Sequence, residues 1–156
     1  MKIIIKAVGI KMPKWVTVAF EEYQKRFPPE IKLLLEEIAP YKRTGRHDDE
    51  KAKQEEALAI LQSLPKKCYL VALDERGKQF TSEELALRFQ VWQNVGMDIV
   101  LIIGGPNGLT DEIRNKASEL WSLSKLTLPH PLVRVFLAET IYRAYSISYN
   151  LPYHRQ

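Results

Sequence analysis

Two segments, Cys68-Tyr69-Leu70-Val71-Ala72-Leu73 and Asp98-Ile99-Val100-Leu101-Ile102-Ile103, are apolar at nearly every position. A strand with one wet face alternates apolar and polar residues, whereas a strand covered on both faces does not. Short apolar runs bounded by turn residues are therefore expected to be strands inside a mainly parallel sheet. Parallel neighbours cannot be joined by a tight hairpin; they need crossovers, usually helical. The sequence around the two runs alternates accordingly. Lys2–Val8, rich in isoleucine and valine, is strand-like and stops at Gly9; residues 31–38 form another strand with Glu36 and Glu37 at its exposed end. Residues 121–128 alternate only as far as Leu123 and then change phase at Leu126 and Leu128, which predicts an irregular strand or a loop.

Helix signals fill the gaps. Pro13 opens a helix where its missing N–H is harmless, and Val16, Phe20, Tyr23 and Phe27 make one apolar stripe before Pro28-Pro29 ends it. A second helix is expected over residues 49–64, with Ala57, Ile60, Leu61 and Leu64 on one face and Pro65 closing it. Asp74-Glu75-Arg76-Gly77 reads as an exit turn. Thr81 and Glu84 have capping-box spacing ahead of a helix carrying Leu85, Phe89 and Trp92. Thr110 is the expected N-cap of a helix bearing Ile113, Ala117 and Leu120. The last helix is expected over residues 132–149, packing through Leu132, Val135, Phe136, Tyr142 and Tyr145. The polar, basic stretch 41–49 is too hydrophilic for a core and reads as a mobile loop. The expected architecture is α/β: a single domain over residues 1–156, with a mainly parallel sheet and helices on both faces.

The 156 residues suffice for one core without staples, and 46% apolar with 27% charged residues is an ordinary globular balance. Cys68 is the single cysteine, which excludes an internal disulfide, and its apolar setting predicts an inert, buried thiol. His47, His130 and His154 are scattered without metal-ligand spacing, so no metal site is expected. No apolar stretch approaches the roughly 18 residues that span a bilayer. Lys6 interrupts the N-terminal run where a signal peptide would be apolar, so a cytoplasmic protein with no membrane partner is expected. A net charge of +4 is compatible with a nucleic-acid partner without demanding one.

In open parallel sheets ligands bind beyond the carboxyl ends of the strands. That rule selects Leu73-Asp74, Gly104-Gly105 and the segment 123–128. Gly104-Gly105-Pro106-Asn107-Gly108 follows a buried strand directly; its glycines allow close backbone approach and positive φ. It is neither a G-x-G-x-x-G fingerprint nor a P-loop, which disfavours a nucleotide-dependent oxidoreductase. His130, boxed by Pro129 and Pro131, reads as a turn residue; Glu139 and Arg143, four apart, read as an ion pair. Tyr153-His154-Arg155 would by default fray, although aromatic, imidazole and guanidinium groups together suit base stacking and phosphate binding.

Several segments together resemble the RlmH family of ribosomal RNA methyltransferases, which have the SPOUT (trefoil-knot) fold. They are Val8-Gly9-Ile10-Lys11-Met12-Pro13-Lys14-Trp15-Val16, Leu101-Ile102-Ile103-Gly104-Gly105-Pro106-Asn107-Gly108-Leu109, and the run from Trp121 through Leu128-Pro129-His130-Pro131-Leu132-Val133-Arg134. Glu139, Tyr142-Arg143-Ala144 and the closing Asn150-Leu151-Pro152-Tyr153-His154-Arg155 complete the pattern, which covers essentially the whole chain. The resemblance implies methylation of N3 of a pseudouridine in 23S ribosomal RNA, on the assembled ribosome, with S-adenosylmethionine as cofactor. It further implies a C-terminal trefoil knot, a homodimer packed through it, and cofactor contacts at Leu73, Gly104, Leu123, Ser124, Lys125, Leu126, Thr127 and Leu128. Tyr153, His154 and Arg155 are the expected substrate-binding residues, and His154 competes with a bound water as candidate base. A non-catalytic ribosome- or RNA-binding module on the same fold is the alternative reading.

Overall fold

The computed structural model describes residues 1–42, 45 and 48–155 of the chain; of the expected loop at 41–49, Arg43, Thr44, Arg46 and His47 lie outside the described residues. Among the described residues five strands, β1 (Lys2–Val8), β2 (Lys32–Ile38), β3 (Cys68–Lys78), β4 (Asp98–Ile103) and β5 (Glu119–Trp121), form one sheet in the order β2-β1-β4-β3-β5. Every pairing is parallel. The helices are α1 (Lys14–Gln24), α2 (Asp49–Ser63), α3 (Ser82–Asn94), α4 (Asp111–Lys116) and α5 (His130–Ser148), and a 3-10 turn, Pro152–Arg155, closes the chain.

The period of two along β1 divides the core. Ile3, Ile5 and Ala7 join the side chains of α1, α3 and α5 on one face, while Ile4 and Val8 join those of α2 and α4 on the other. Lys6 shares the second face and is buried, its charge met by Glu36 directly across the ladder on β2. Both expected caps form. Thr81 and Glu84 exchange 3.1 Å hydrogen bonds in a capping box, and the Thr110 hydroxyl accepts from the Ile113 amide at 3.4 Å. Cys68 is half-buried at the start of β3, more accessible than expected, and burial still pushes its thiol pKa upward.

Three expectations are corrected. The turn at 74–77 is absorbed into β3, because both Leu73 and Lys78 pair with Trp121 and the residues between them bulge around the end of β5. Gly77 makes this possible: a Cβ there would lie 2.6 Å from the Trp121 amide nitrogen. Secondly, α4 stops at Lys116, so Ala117 caps it and Leu120, expected on that helix, lies in β5; residues 122–129 form the loop that the phase change predicts. Thirdly, α5 begins at His130, with Pro131 tolerated in its first turn, and its buried stripe runs through Arg134, Leu137, Ala138 and Ile141. Leu132 and Phe136 fall outside that stripe and are exposed.

Short β5 is fixed by a half-buried hub. Glu119 accepts both Arg88 guanidinium bonds (3.1 and 3.0 Å) and the indole N–H groups of Trp92 and Trp121 (3.1 and 3.0 Å). Burial alone would raise this carboxyl's pKa; the donors from Arg88 and the two indoles outweigh it and hold it below the ordinary value. The edge strand therefore keeps its register despite having only three residues.

Candidate cofactor cleft

A cleft of about 740 Å³ opens at the carboxyl ends of β3, β4 and β5. Leu73 at the bend of β3, Gly104 beyond β4, and Leu123, Ser124, Lys125, Leu126, Thr127 and Leu128 beyond β5 all line it. The topological rule and the resemblance had selected these residues from separate segments, and folding brings all eight into one wall system. Sequence reasoning missed other lining residues: Lys53 from α2, Arg76 and Gln79, Arg114 from α4, and Val133 from α5. Their partners are fixed by tertiary crossings, and no local motif announces them.

The walls are braced. Arg114 bonds Asp74 (3.3 Å), Asp111 and the Leu109 carbonyl, tying the bend of β3 to the far end of the glycine loop. The Ser124 hydroxyl accepts from the Leu126 amide at 2.9 Å, and Ser122 donates to the Ser124 carbonyl at 3.2 Å. This small turn leaves Leu126 75% exposed on the rim, an apolar side chain available to a ligand. In the glycine loop only Gly108 has positive φ, at 76°, whereas Gly104 does not need it. Gly104 is required for a different reason: a Cβ there would sit 2.9 Å from Leu109 Cδ2 and 3.1 Å from the Gly108 carbonyl group.

Behind the loop, the His130 side chain sits at the start of α5. Its Nε2 accepts from Arg134 Nε at 3.1 Å. Burial first, and the Arg134 charge second, lower its pKa, so the neutral form is favoured. His130 is thus a helix residue bonded to Arg134, and not the turn residue its flanking prolines predict. Between the lowered value and the ordinary 6.5, the unfolded chain binds a proton that the folded one does not. His130 therefore contributes stability that is present above about pH 6.5 and lost as pH falls through the lowered value. Denaturant titrations at pH 7 and pH 5 should show a smaller pH loss in His130→Gln than in the parent protein; an equal loss in both would remove His130 from the acid response.

The tail lies elsewhere. Asn150, in the left-handed region at φ 53°, reverses the chain, and Pro152–Arg155 runs back beside α5. The Tyr153 hydroxyl donates to Glu139 at 2.9 Å and lies 3.4 Å from that of Tyr23; burial and these bonds push its pKa well up. Glu139 also holds Arg143 in the expected ion pair. His154 Nδ1 meets the hydroxyl of fully buried Ser146 at 3.1 Å. Tyr153 and His154 are therefore docked and not frayed, and neither lines this chain's own cleft.

A parallel sheet covered on both faces, with a cleft at its carboxyl edge lined by a glycine loop and the 122–129 connection, defines an α/β domain. The family described as "Predicted SPOUT methyltransferase" matches residues 1–154. The chain is 47% identical over 156 residues, all of both chains, to "Ribosomal RNA large subunit methyltransferase H" of Thioalkalivibrio sulfidiphilus. It is 50% identical over 155 residues, 99% of each chain, to the proteins of that name from Ralstonia nicotianae and Dichelobacter nodosus. The chain belongs to the SPOUT methyltransferase family.

Proposed function

We propose that this protein transfers a methyl group from S-adenosylmethionine to N3 of a pseudouridine in 23S ribosomal RNA, acting as a homodimer on the assembled ribosome in the cytoplasm. The observation that carries the reading is the cleft. It unites Leu73, Gly104 and residues 123–128 in a chain that matches ribosomal RNA methyltransferases end to end. Its size falls in the range of small-ligand sites, roughly 300–1,000 Å³. Its lining suits an adenosine bearing an amino-acid arm: Leu73, Leu126 and Leu128 offer apolar surface, and the loop around Gly104 offers backbone donors and acceptors.

The cofactor supplies an electrophilic methyl group on a sulfonium. The chain's own residues have to align donor and acceptor, exclude water and accept the imide proton of the target base. Gly104 and residues 123–128 serve the alignment. Tyr153, His154 and Arg155 are assigned to the target nucleotide, with His154 or a bound water taking the proton. Neither Tyr153 nor His154 lines its own cleft, which supports a complete site shared with a second protomer. The exposed apolar residues support such a partner: Trp15 and Val18 stand one turn apart on α1, and Leu132 and Phe136 one turn apart on α5, which packs beside α1. The same reading includes the trefoil knot of the C-terminal third that the resemblance implies.

A net charge of +4 neutralises few phosphates, so free RNA should be held weakly. Incubation with radiolabelled S-adenosylmethionine, followed by mapping of the labelled nucleotide, should place the label on one pseudouridine. Assembled ribosomes should be labelled far faster than the isolated target hairpin. Equal rates on the two substrates would argue against recognition of the assembled particle.

A further inference from the structure

We infer that Ser146 is a positioning residue for the transfer: its buried hydroxyl holds the His154 ring with the proton on Nδ1, leaving Nε2 free to take the imide proton of the target base. The inference rests on the reading above that the tail serves the target nucleotide, and it chooses His154 over a bound water. Ser146 is fully buried near the end of α5 and has no surface to offer RNA. Its backbone and side chain act on the tail instead. The helix ends in a Schellman arrangement: the Leu151 amide donates to the Ser146 carbonyl at 2.9 Å and the Asn150 amide to the Ile147 carbonyl at 3.2 Å, with Asn150 left-handed. This reversal, followed by the 3-10 turn Pro152–Arg155, returns His154 to the residue that closes the cap, with Nδ1 3.1 Å from Ser146 Oγ.

The hydroxyl has a single proton and two neighbours. The Leu151 carbonyl, 3.5 Å from Oγ, can only accept, whereas a neutral imidazole nitrogen either donates or accepts. Both contacts are satisfied together when the Ser146 O–H donates to Leu151 and an oxygen lone pair receives Nδ1–H. The reverse assignment, with Ser146 donating to Nδ1, leaves the Leu151 carbonyl without that donor. A ring protonated at Nδ1 carries its lone pair on Nε2. Among the described residues Nε2 has no hydrogen-bond partner, and His154 is only half-buried. In the transfer the N3–H bond of the base breaks, and its electron pair stays on N3 to bond the methyl carbon while the carbon–sulfur pair returns to sulfur. The proton joins Nε2; the imidazolium, held by a charge-assisted bond to Ser146, later gives a proton to water. In the other tautomer Nε2 already carries a proton and can only donate. Tyr153 anchors the tail separately, through Glu139 at 2.9 Å and the ring of Tyr142, so loss of the Ser146 hydroxyl frees the imidazole without releasing the tail.

Nitrogen-15 spectra of histidine-labelled protein at about pH 8, where an ordinary imidazole is neutral, read the tautomer directly. His154, identified by its absence from the His154→Gln spectrum, should show Nδ1 protonated and Nε2 bare in the parent. In Ser146→Ala the two tautomers should mix. Ser146→Cys fills the same space with a poor acceptor and should resemble Ala, whereas a space-filling role makes it resemble the parent. Turnover on ribosomes should fall about tenfold in kcat for both variants, with the KM for ribosomes and the Kd for S-adenosylmethionine within about threefold of the parent. His154→Gln should lose about a hundredfold or more. On that background Ser146→Ala should cost no more than about twofold, because it acts through His154. An Nε2–H tautomer in the parent, an unchanged tautomer in Ser146→Ala, parent-like turnover in His154→Gln, or the same tenfold loss with and without His154 would each overturn the inference. A parent protein that leaves ribosomes unmethylated would remove the function proposed above instead, and the spectra would still decide the Ser146–His154 bond.

Discussion

Deletion of residues 153–156 should reduce methyl transfer to ribosomes by at least about a hundredfold, the scale of losing substrate positioning, while cofactor affinity stays within about threefold. The split follows from where the tail is docked. Its Tyr153 packs against Tyr142 with ring centroids 4.9 Å apart and bonds Glu139, and neither Tyr153 nor His154 lines the cleft. Removing it leaves every lining residue of the cleft in place. It does expose part of the Tyr142 and Tyr23 rings, with a stability cost of about 0.5–1.5 kcal/mol for each lost aromatic pair, so assays belong well below the melting transition. If each tail serves the partner's cleft, mixing the deletion with a Gly104→Val protein under subunit exchange should restore part of the activity. One heterodimer site would then join an intact cleft to an intact tail. Absence of recovery, with exchange demonstrated, would refute the shared site and leave a tail that acts beside its own α5.

The parts of this structure that could be read from sequence are those set by local pattern. Buried strands announce themselves by continuous apolar runs, and β4 and the first half of β3 fell where those runs predict. Thr81-Glu84 and Thr110 cap their helices because capping chemistry is complete within four residues. The extension of β3 was not legible, because Asp74-Glu75-Arg76-Gly77 carries ordinary turn chemistry and only its pairing with distant Trp121 makes it strand. Arg134 was hidden for a related reason. On a helix it looks like any solvated arginine, and its burial depends on Glu37 and Gly9, which lie more than a hundred residues away in the case of Gly9. Leu132 and Phe136 show the opposite error, since their spacing predicts packing within the chain and the structure leaves them on the surface. The cleft residues were selected by strand-end topology together with resemblance. Spacing alone would not have distinguished residues 123–128 from any connecting loop.

Gly104→Val should weaken S-adenosylmethionine binding by about a hundredfold or more, with the sheet and the oligomeric state unaltered. The expected cause is close approach, since Gly104 does not adopt a left-handed backbone. Its Cβ position is 2.9 Å from Leu109 Cδ2 and 3.1 Å from the backbone carbonyl of Gly108, so the loop doubles back over this residue. The Leu109 methyl group could shift, but the Gly108 backbone cannot move without disturbing the chain that leads into the Thr110 cap of α4. Two γ carbons add bulk that is fixed at χ1, so the loop must open at the point where β3, β4 and the 123–128 connection meet. Buried β4 ends before this position, so the core should be spared. Gly104→Ala adds the first carbon alone and should lose about tenfold, giving a graded series in which affinity falls with volume. Calorimetry on the two folded variants measures it. Parent-like affinity in Gly104→Val would exclude the loop from the site, and an Ala variant as weak as Val would show that flexibility of the glycine, and not the space beside it, is what the cofactor cleft requires.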